Sequence, residues 1–224
     1  MCNRYASDIR KAGLEAEYYG FEEFSETRIK LNSVLEIFPN SIGPVIRWRD
    51  DGAFEWVAMR WGLPGPTSQG SFPVTNVRNI ASPHWRSLLG PAHRCLVPFT
   101  AFSEYEDASP KGNKVLRWFA PRDHGMLMFA GLWRTWRGDR GTKKEPNVGE
   151  HLLFSFLTTE PNDQVRPVHA KAMPVILRTP EEREEWLTAP AENVVMIQGR
   201  VLPHDALEIV ADDEAEMFAG AYLK

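Results

Sequence analysis

The sequence has few cysteines and no long apolar run. Its 224 residues include only Cys2 and Cys95, and two cysteines so far apart do not suggest a disulfide framework. No apolar run reaches the roughly 18 residues that a membrane helix needs. The first residues contain no apolar segment of the signal-peptide type. We therefore expect a cytoplasmic protein that does not interact with membranes.

Metal-ligand patterns and phosphate loops are also absent. The two cysteines and six histidines form no CxxC or HxxxH spacing, which zinc sites commonly use. No glycine-rich phosphate loop occurs either. We therefore expect neither a metal nor a cofactor.

The charge of the chain does not decide whether it binds nucleic acid. The formal net charge of −4 disfavours a strongly basic nucleic-acid binder. The acidic residues, however, gather at 181–185 and near the C-terminus, whereas the segment 117–144 is rich in basic residues. These are Arg117, Arg122, Arg134, Arg137, Arg140, Lys143 and Lys144. A local basic surface is therefore compatible with an acidic protein.

Short segments rich in β-branched and aromatic residues dominate the chain. They predict strands at residues 34–38, 45–48, 54–61, 95–105, 115–120, 126–133, 152–158, 173–177 and 194–198. Helices are predicted at 7–19, at 82–90 and at 179–187, the last behind a capping box. The polar, basic stretch 137–150 is predicted to be a loop. We expect an α+β fold, a single domain spanning 1–224, dominated by antiparallel β-strands with a few short helices.

Cys2 is the candidate nucleophile. A small residue at position two permits removal of the initiator methionine, which would leave a free α-amine beside the Cys2 thiol. The two groups together suit aldehyde capture, because the amine forms an imine and the thiol then closes a five-membered thiazolidine. An α-amine has a pKa of about 8, so roughly a tenth of it is neutral and nucleophilic at pH 7.

Seven segments, in order, resemble the motifs of one family. They are MCNRY at 1–5, FPN and PVI within 38–46, RWGL at 60–63, TNVR at 75–78, RCLVP and AFSEY within 94–105, FAGLW at 129–133, and LTT, VH and MPVIL within 157–177. Together they resemble the SOS-response-associated peptidase (SRAP) family over about residues 1–190. The chain departs from the family pattern at Asn3, which replaces a glycine, and at an additional residue between His169 and Met173. Ser103 and Tyr105 also differ from the family residues beside the glutamate.

The resemblance implies a role for each matched residue. SRAP proteins bind single-stranded DNA and join their N-terminal cysteine to the aldehyde of an abasic site, which shields the lesion. Here the nucleophile would be Cys2. His169 would donate a proton to the sugar ring oxygen, and Glu104 would shuttle protons. Asn76 would position the amine and the sugar by hydrogen bonding.

The resemblance also implies the contacts with DNA. Arg4 and Arg78 would bind the phosphates beside the lesion. Lys171 would take the phosphate contact of a family arginine that is missing here. Trp61 would stack on a neighbouring base, a contact worth ~1–3 kcal/mol. The expected partner is single-stranded DNA with abasic sites, bound by a monomer that associates with the nucleoid when on DNA.

Two other functions stay open at this point. The first is an N-terminal-nucleophile peptidase or amidohydrolase, whose activity would include removal of its own Met1. It would use Cys2 as the nucleophile, the α-amine of Cys2 as the base and Asn76 as a hydrogen-bond donor to the oxyanion. The second is a passive single-strand binder, which would keep its DNA affinity when Cys2 is replaced. Apart from the resemblance, Glu104 could be an exposed strand carboxylate, Asn76 a turn residue and His169 a structural histidine.

Overall fold

The computed structural model describes residues 2–12, 35–49, 51–66 and 73–211. Within these ranges strands predominate, and no helix is long and apolar enough to cross a membrane. The strands are β1 (Tyr5–Ser7), β2 (Leu35–Ile37), β3 (Ile42–Trp48), β4 (Phe54–Trp61), β5 (Leu63–Pro64), β6 (Pro73–Val74), β7 (Asn76–Val77), β8 (Arg94–Phe99), β9 (Ala101–Tyr105), β10 (Leu116–Pro121), β11 (Leu127–Asp139), β12 (Val148–Thr159), β13 (Met173–Pro174), β14 (Ile176–Leu177) and β15 (Leu207–Ile209). The helices are α1 (Pro180–Thr188) and α2 (Val194–Gln198), and 3₁₀ turns cover Ile9–Ala12, Arg86–Leu88, Pro91–His93 and Ala191–Asn193.

Five of these strands form a closed sheet. Following the hydrogen bonds, β12 pairs with β4, β4 with β3, β3 with β8, β8 with β11, and β11 again with β12. The β4–β12 pairing is parallel and the other four are antiparallel. Closure removes the unpaired edges that an open sheet exposes. β7 and β13 pair with β12, and β14 pairs with β11.

A second, antiparallel sheet has the strand order β15–β10–β9–β1–β2. Its residues Tyr5 and Phe102 share a core with Phe129 and Phe154 of the closed sheet. Met128 and Leu153 are the neighbours of Phe129 and Phe154 in the same strands. They belong to a second core, which includes Trp186 of α1. The alternation of side chains along a strand therefore supplies both cores.

The prediction of a strand-dominated α+β fold is confirmed. The strand predicted at 54–61 is β4, and the capping box predicted in front of α1 is present, with Thr179 and Glu182 as its partners. The prediction for 95–105 is right in type, but the chain turns at Thr100 and its two halves, β8 and β9, lie in different sheets. The domain boundaries at 1 and 224 stay a prediction.

Three local predictions were wrong, and a fourth was wrong over the part of it that is described. Residues 194–198 form α2 and not a strand, because Val194 and Ile197 are buried three residues apart while Val195 and Met196 are exposed. Much of 137–150 is not a loop, because β11 and β12 continue into it as a hairpin. The helix predicted at 82–90 is reduced to turns and one 3₁₀ turn, Arg86–Leu88. The helix predicted at 7–19 begins instead with the end of β1 and a 3₁₀ turn, and beyond residue 12 it lies outside the described residues.

Arg94 is a fully buried arginine that ties β8 to α1. Its guanidinium donates to the carbonyl oxygens of Leu89 (2.6 and 2.9 Å), Trp186 (2.7 Å), Ala189 (2.8 Å) and Pro190 (3.2 Å). The last carbonyls of a helix have no partner within the helix, and a cation near the C-terminus also offsets the helix dipole. Arg94 therefore satisfies the end of α1.

We expect Arg94→Lys to destabilise the protein by roughly 2–4 kcal/mol, because one ammonium cannot reach all the carbonyls that the planar guanidinium spans. The free energy of unfolding in urea measures this loss. The matched control is Arg86→Lys on the exposed face of the nearby 3₁₀ turn, which should change stability by no more than about 0.5 kcal/mol. Equal unfolding midpoints for the two variants would contradict this role of Arg94.

Candidate active site

Cys2 is held against β9 at the start of β1. Its side chain is fully buried, and its thiol donates to the carbonyl oxygen of Arg4 at 3.5 Å. The same carbonyl accepts the backbone N–H of Ser103 at 3.0 Å and its hydroxyl at 3.3 Å. Burial, and secondarily the charge of Glu104, raise the pKa of the Cys2 thiol. The thiol is therefore neutral at pH 7 and needs a base when it reacts.

Asn76 fixes the backbone of Cys2 from the opposite side. It lies in β7, which pairs with β12 in parallel. Its side-chain nitrogen donates to the Cys2 carbonyl oxygen at 2.7 Å and to the Thr75 hydroxyl at 2.9 Å. Its side-chain oxygen is buried and has no hydrogen-bond partner among the described residues. The amide therefore holds Cys2 in place and leaves one acceptor in the site.

Glu104 is buried, with only 3% of its surface exposed. The alternative of an exposed strand carboxylate is therefore wrong. Burial raises the pKa of Glu104 to about 7, and the charge of Asp107 adds to the increase. A carboxyl group with this pKa exchanges its proton near neutral pH, which suits a general acid or base.

His169 connects Glu104 to a second carboxylate. Its Nε2 lies 4.0 Å from a carboxylate oxygen of Glu104, and its Nδ1 lies 3.1 Å from Asp107. The pKa of Asp107 is lowered, first by the hydrogen bond from the Ala170 backbone N–H (3.0 Å), so its carboxylate accepts and His169 Nδ1 carries the proton. His169 Nε2 then faces Glu104 as an acceptor.

This arrangement changes the expected source of the proton. Burial is the main reason that the pKa of His169 is lowered, so the ring is neutral at pH 7 and has no proton on Nε2. Glu104 is the neighbouring acid that retains a proton at that pH. Glu104 is therefore the better proton donor of the two near pH 7, and His169 Nε2, 4.0 Å away, is a neighbouring acceptor.

Sequence reasoning missed Asp107. It lies three residues after Glu104, just beyond the end of β9, and its carboxylate binds both the ring and the loop of His169. The available signal was a carboxylate that follows the strand of the candidate acid. A histidine in such a site usually has a partner that fixes its tautomer.

Arg4 lies beside the site but is already paired. It forms an ion pair with Glu36, and its guanidinium lies 5.2 Å from the ring centres of both Phe38 and Trp118. Its side chain is 25% exposed. Binding of a DNA phosphate by Arg4 would therefore have to compete with Glu36.

The other expected DNA contacts differ in position. Arg78 pairs with Glu160 at the surface, and Lys171 is exposed. The expectation that Trp61 stacks on a base is wrong, because its ring is fully buried. It stacks on Phe156 with 5.2 Å between ring centres, and its indole N–H donates to the Thr75 carbonyl oxygen at 3.0 Å. Trp61 therefore supports the strand of Asn76 from within the core.

Asn3 does not strain the backbone. Among the described residues other than glycine, positive φ angles occur at Asn40 and His124, so Asn3 is not in the left-handed region. The glycine of the family pattern is therefore not needed at this position for its conformation. Among the described residues, no three histidine, cysteine, aspartate or glutamate side chains gather as metal ligands.

Comparison with known proteins identifies the family. The family model described as "SOS response associated peptidase (SRAP)" matches residues 1–211. The chain belongs to the SRAP family. Among similar proteins, the abasic site processing protein YobE of Bacillus subtilis (strain 168) is 29% identical over 161 residues, which are 68% of each chain. The abasic site processing protein YoqW of the same strain is 27% identical over 158 residues, covering 68% of this chain and 66% of YoqW.

Crystal structures show the same fold as this SRAP chain. A protein from Bordetella bronchiseptica, 23% identical, superposes with a TM-score of 0.68 and covers 94% of this chain and 100% of its own. A protein from Bacteroides thetaiotaomicron, 20% identical, has a TM-score of 0.70 over 96% of this chain and 94% of its own. At these identities the likeness establishes the fold alone.

We expect Glu104→Gln to stabilise the SRAP chain increasingly as the pH rises. The folded state raises the pKa of Glu104 from 4.5 to about 7, so it binds the proton more tightly than the unfolded state and loses stability as pH rises through that window. The variant lacks this loss and should gain up to about 3 kcal/mol by pH 8. Urea unfolding at pH 4.5 and pH 8 tests this. Glu150→Gln on the exposed hairpin is the control, and an equal gain at both pH values would contradict the prediction.

We expect Asp107→Asn to lower the pKa of His169 further, because the charge and hydrogen bond of Asp107 raise it. An NMR titration of the His169 ring protons measures the change. Asp163→Asn removes an exposed carboxylate near the same loop and should leave the titration where it is. A His169 titration that is identical in Asp107→Asn and the native protein would show that Asp107 does not act on the ring.

Proposed function

We propose that this chain processes abasic sites in DNA, and that Cys2 forms a covalent bond with the aldehyde of the lesion once Met1 has been removed. Membership of the SRAP family and the names of the two Bacillus relatives support the first part. One observation supports the second: Cys2 is anchored by Asn76 on one side and β9 on the other, next to Glu104.

The chemistry requires an amine, a thiol and a proton donor in one place. The Cys2 amine attacks the aldehyde carbon of the opened sugar, and the resulting carbinolamine loses water to give an imine. The Cys2 sulfur then bonds to the imine carbon, and a proton is added to the nitrogen, which closes the thiazolidine. The sum is one aldehyde plus one cysteine, giving one thiazolidine and one water.

Glu104 and His169 match the proton demands of these steps. The departing hydroxyl needs a proton, which Glu104 can supply because its pKa is about 7. The carboxylate left behind can then accept the proton of the neutral Cys2 thiol as the sulfur attacks. His169, fixed by Asp107, would exchange protons with Glu104 at the sugar ring oxygen.

The side-chain oxygen of Asn76 would orient the amine. It is a buried acceptor without a partner in the described chain, whereas both protons of the Asn76 amide are used by Cys2 and Thr75. This use of both protons disfavours Asn76 as the oxyanion donor of a peptidase. Arg78 and Lys171 would contact phosphates at the surface. To do so, Arg78 would give up its ion pair with Glu160 and bind a phosphate of the DNA strand.

We expect the Met1-processed protein to form an adduct with an oligonucleotide containing one abasic site, and the adduct to survive denaturation. Cys2→Ala should form none, because it removes the sulfur that closes the ring. A denaturing gel, with removal of Met1 checked by intact mass, measures the adduct.

Cys95→Ala is the matched control, because it removes the other buried thiol of the chain. It should form the adduct as the native protein does. Absence of an adduct with processed native protein would overturn the cross-linking proposal. An adduct that persists in Cys2→Ala would assign the reaction to a different residue.

A further inference from the structure

Two arginines lie together at one end of the closed sheet, and neither takes part in holding Cys2. Arg60 is near the end of β4, and Arg140 follows β11. Arg140 is buried, with 8% of its surface exposed. Arginine is rarely enclosed to this degree unless an opposite charge or a set of acceptors surrounds it.

Asn40 and Gly62 hold the two arginines in position. Arg60 Nη1 donates to the Asn40 carbonyl oxygen, and the Asn40 side-chain nitrogen donates to the Arg140 carbonyl oxygen at 3.2 Å. Arg140 Nη2 donates to the Gly62 carbonyl oxygen at 2.9 Å, and its guanidinium lies 4.7 Å from the centre of the Trp136 ring. Asn40 has φ 66°, a left-handed conformation that asparagine tolerates.

The two guanidinium groups have no counter-charge in the described chain. Within residues 2–12, 35–49, 51–66 and 73–211, no aspartate or glutamate forms an ion pair with either. The Nε of Arg60 and the Nε of Arg140 are both buried and make no hydrogen bond. Burial, and then the charge of Arg60, lower the pKa of Arg140. Two neighbouring cations that repel each other, one of them buried, favour the binding of an anion.

We propose that Arg60 and Arg140 bind a phosphate group, and that this phosphate belongs to the DNA strand whose abasic site is held at Cys2. Guanidinium groups match phosphate oxygens with parallel hydrogen bonds, and two of them can share one phosphate. The assignment to DNA rests on the proposed function.

Continuity between the two sites favours a phosphate of the strand over a free ion. The backbone of Trp61 pairs with Asn40 and Ser41, while its indole N–H donates to Thr75, which precedes Asn76. Exposed Phe38 lies between the Asn40 turn and Arg4. Lys143 and Lys144 are exposed cations in the turn that follows Arg140. A strand that leaves Cys2 past Arg4 and Phe38 would reach the Asn40 turn, which holds Arg60 and Arg140.

Binding of an undamaged single-stranded oligonucleotide to the Cys2→Ala protein tests this without covalent chemistry. We expect Arg140→Gln and Arg60→Gln each to weaken binding by about tenfold at low salt, which corresponds to one charged contact. Each should reduce the slope of log K against log salt by about 0.7, as one lost phosphate contact does. Because both would bind one phosphate, the double variant should lose less than the product of the two effects.

Arg137→Gln is the matched control, because Arg137 is an exposed arginine on the same hairpin and the variant has the same net charge. It should change affinity much less than Arg140→Gln. Affinity and salt slope in Arg140→Gln that equal those of Arg137→Gln would overturn the proposal.

Methylphosphonate substitution of the oligonucleotide tests the site even where an arginine variant fails to fold. Replacement of one particular phosphate by an uncharged methylphosphonate should weaken binding to the protein that has both arginines. The same replacement should not further weaken binding to Arg60→Gln. A scan in which no linkage depends on Arg60 would overturn the assignment to DNA. The assignment to DNA would also be overturned if inorganic phosphate raised the melting temperature of the protein through Arg140 while neither variant affected DNA binding. That outcome would identify a free-phosphate site. These binding results do not depend on whether the adduct of Cys2 forms.

Discussion

The antiparallel pairing of β1 with β9 brings the beginning of the chain to the centre of the molecule. Tyr5 lies opposite Phe102, and the Arg4 carbonyl oxygen receives the N–H of Ser103, so Cys2 comes to rest beside Glu104. Side chains alternate along a strand, and a shift of one residue would turn every one of them to the other face. The aromatic contacts of Tyr5 with Trp61 and Phe129, 5.2 and 5.7 Å between ring centres, fix that register. The position of Cys2 is therefore set by the core.

The same burial that holds Cys2 also sets the protonation of the site. Removing water raises the pKa of the Cys2 thiol and of Glu104 and lowers that of His169, because in each case the charged form loses solvation. All three groups are thereby neutral or close to their midpoint near pH 7, which favours proton exchange over fixed charges. A buried carboxyl group destabilises the folded protein when it is charged, and a loss of stability of this kind is common where side chains are placed for activity. Asp107, outside the buried cluster, keeps its charge and fixes the histidine.

The sequence allowed the fold class to be predicted and the candidate site residues to be named, but not the geometry that joins them. A segment rich in β-branched and aromatic residues revealed β4, and a Thr-Pro-Glu-Glu run revealed the start of α1, because both signals are local. The bend at Thr100 and the helix at 194–198 depend on what packs against them, which no local pattern contains. Cys2, Asn76, Glu104 and His169 were named through the family resemblance, and the structure brings them together. Trp61 was misassigned because a buried tryptophan and a stacking platform have the same sequence signal, and Asp107 was missed because its role depends on a loop 62 positions away.

Distribution of charge, more than its sum, governs what an acidic chain of this kind can bind. Arg4 and Arg78 are each neutralised by a glutamate, so a phosphate that binds them must displace a carboxylate and gains little net energy. Arg60 and Arg140 have no such partner in the described chain, and their mutual repulsion is relieved when an anion binds. A strand would therefore gain more electrostatic energy at the unpaired arginines than at the paired ones. The net charge of −4 therefore would not oppose DNA binding at Arg60 and Arg140, because no acid among the described residues pairs with either.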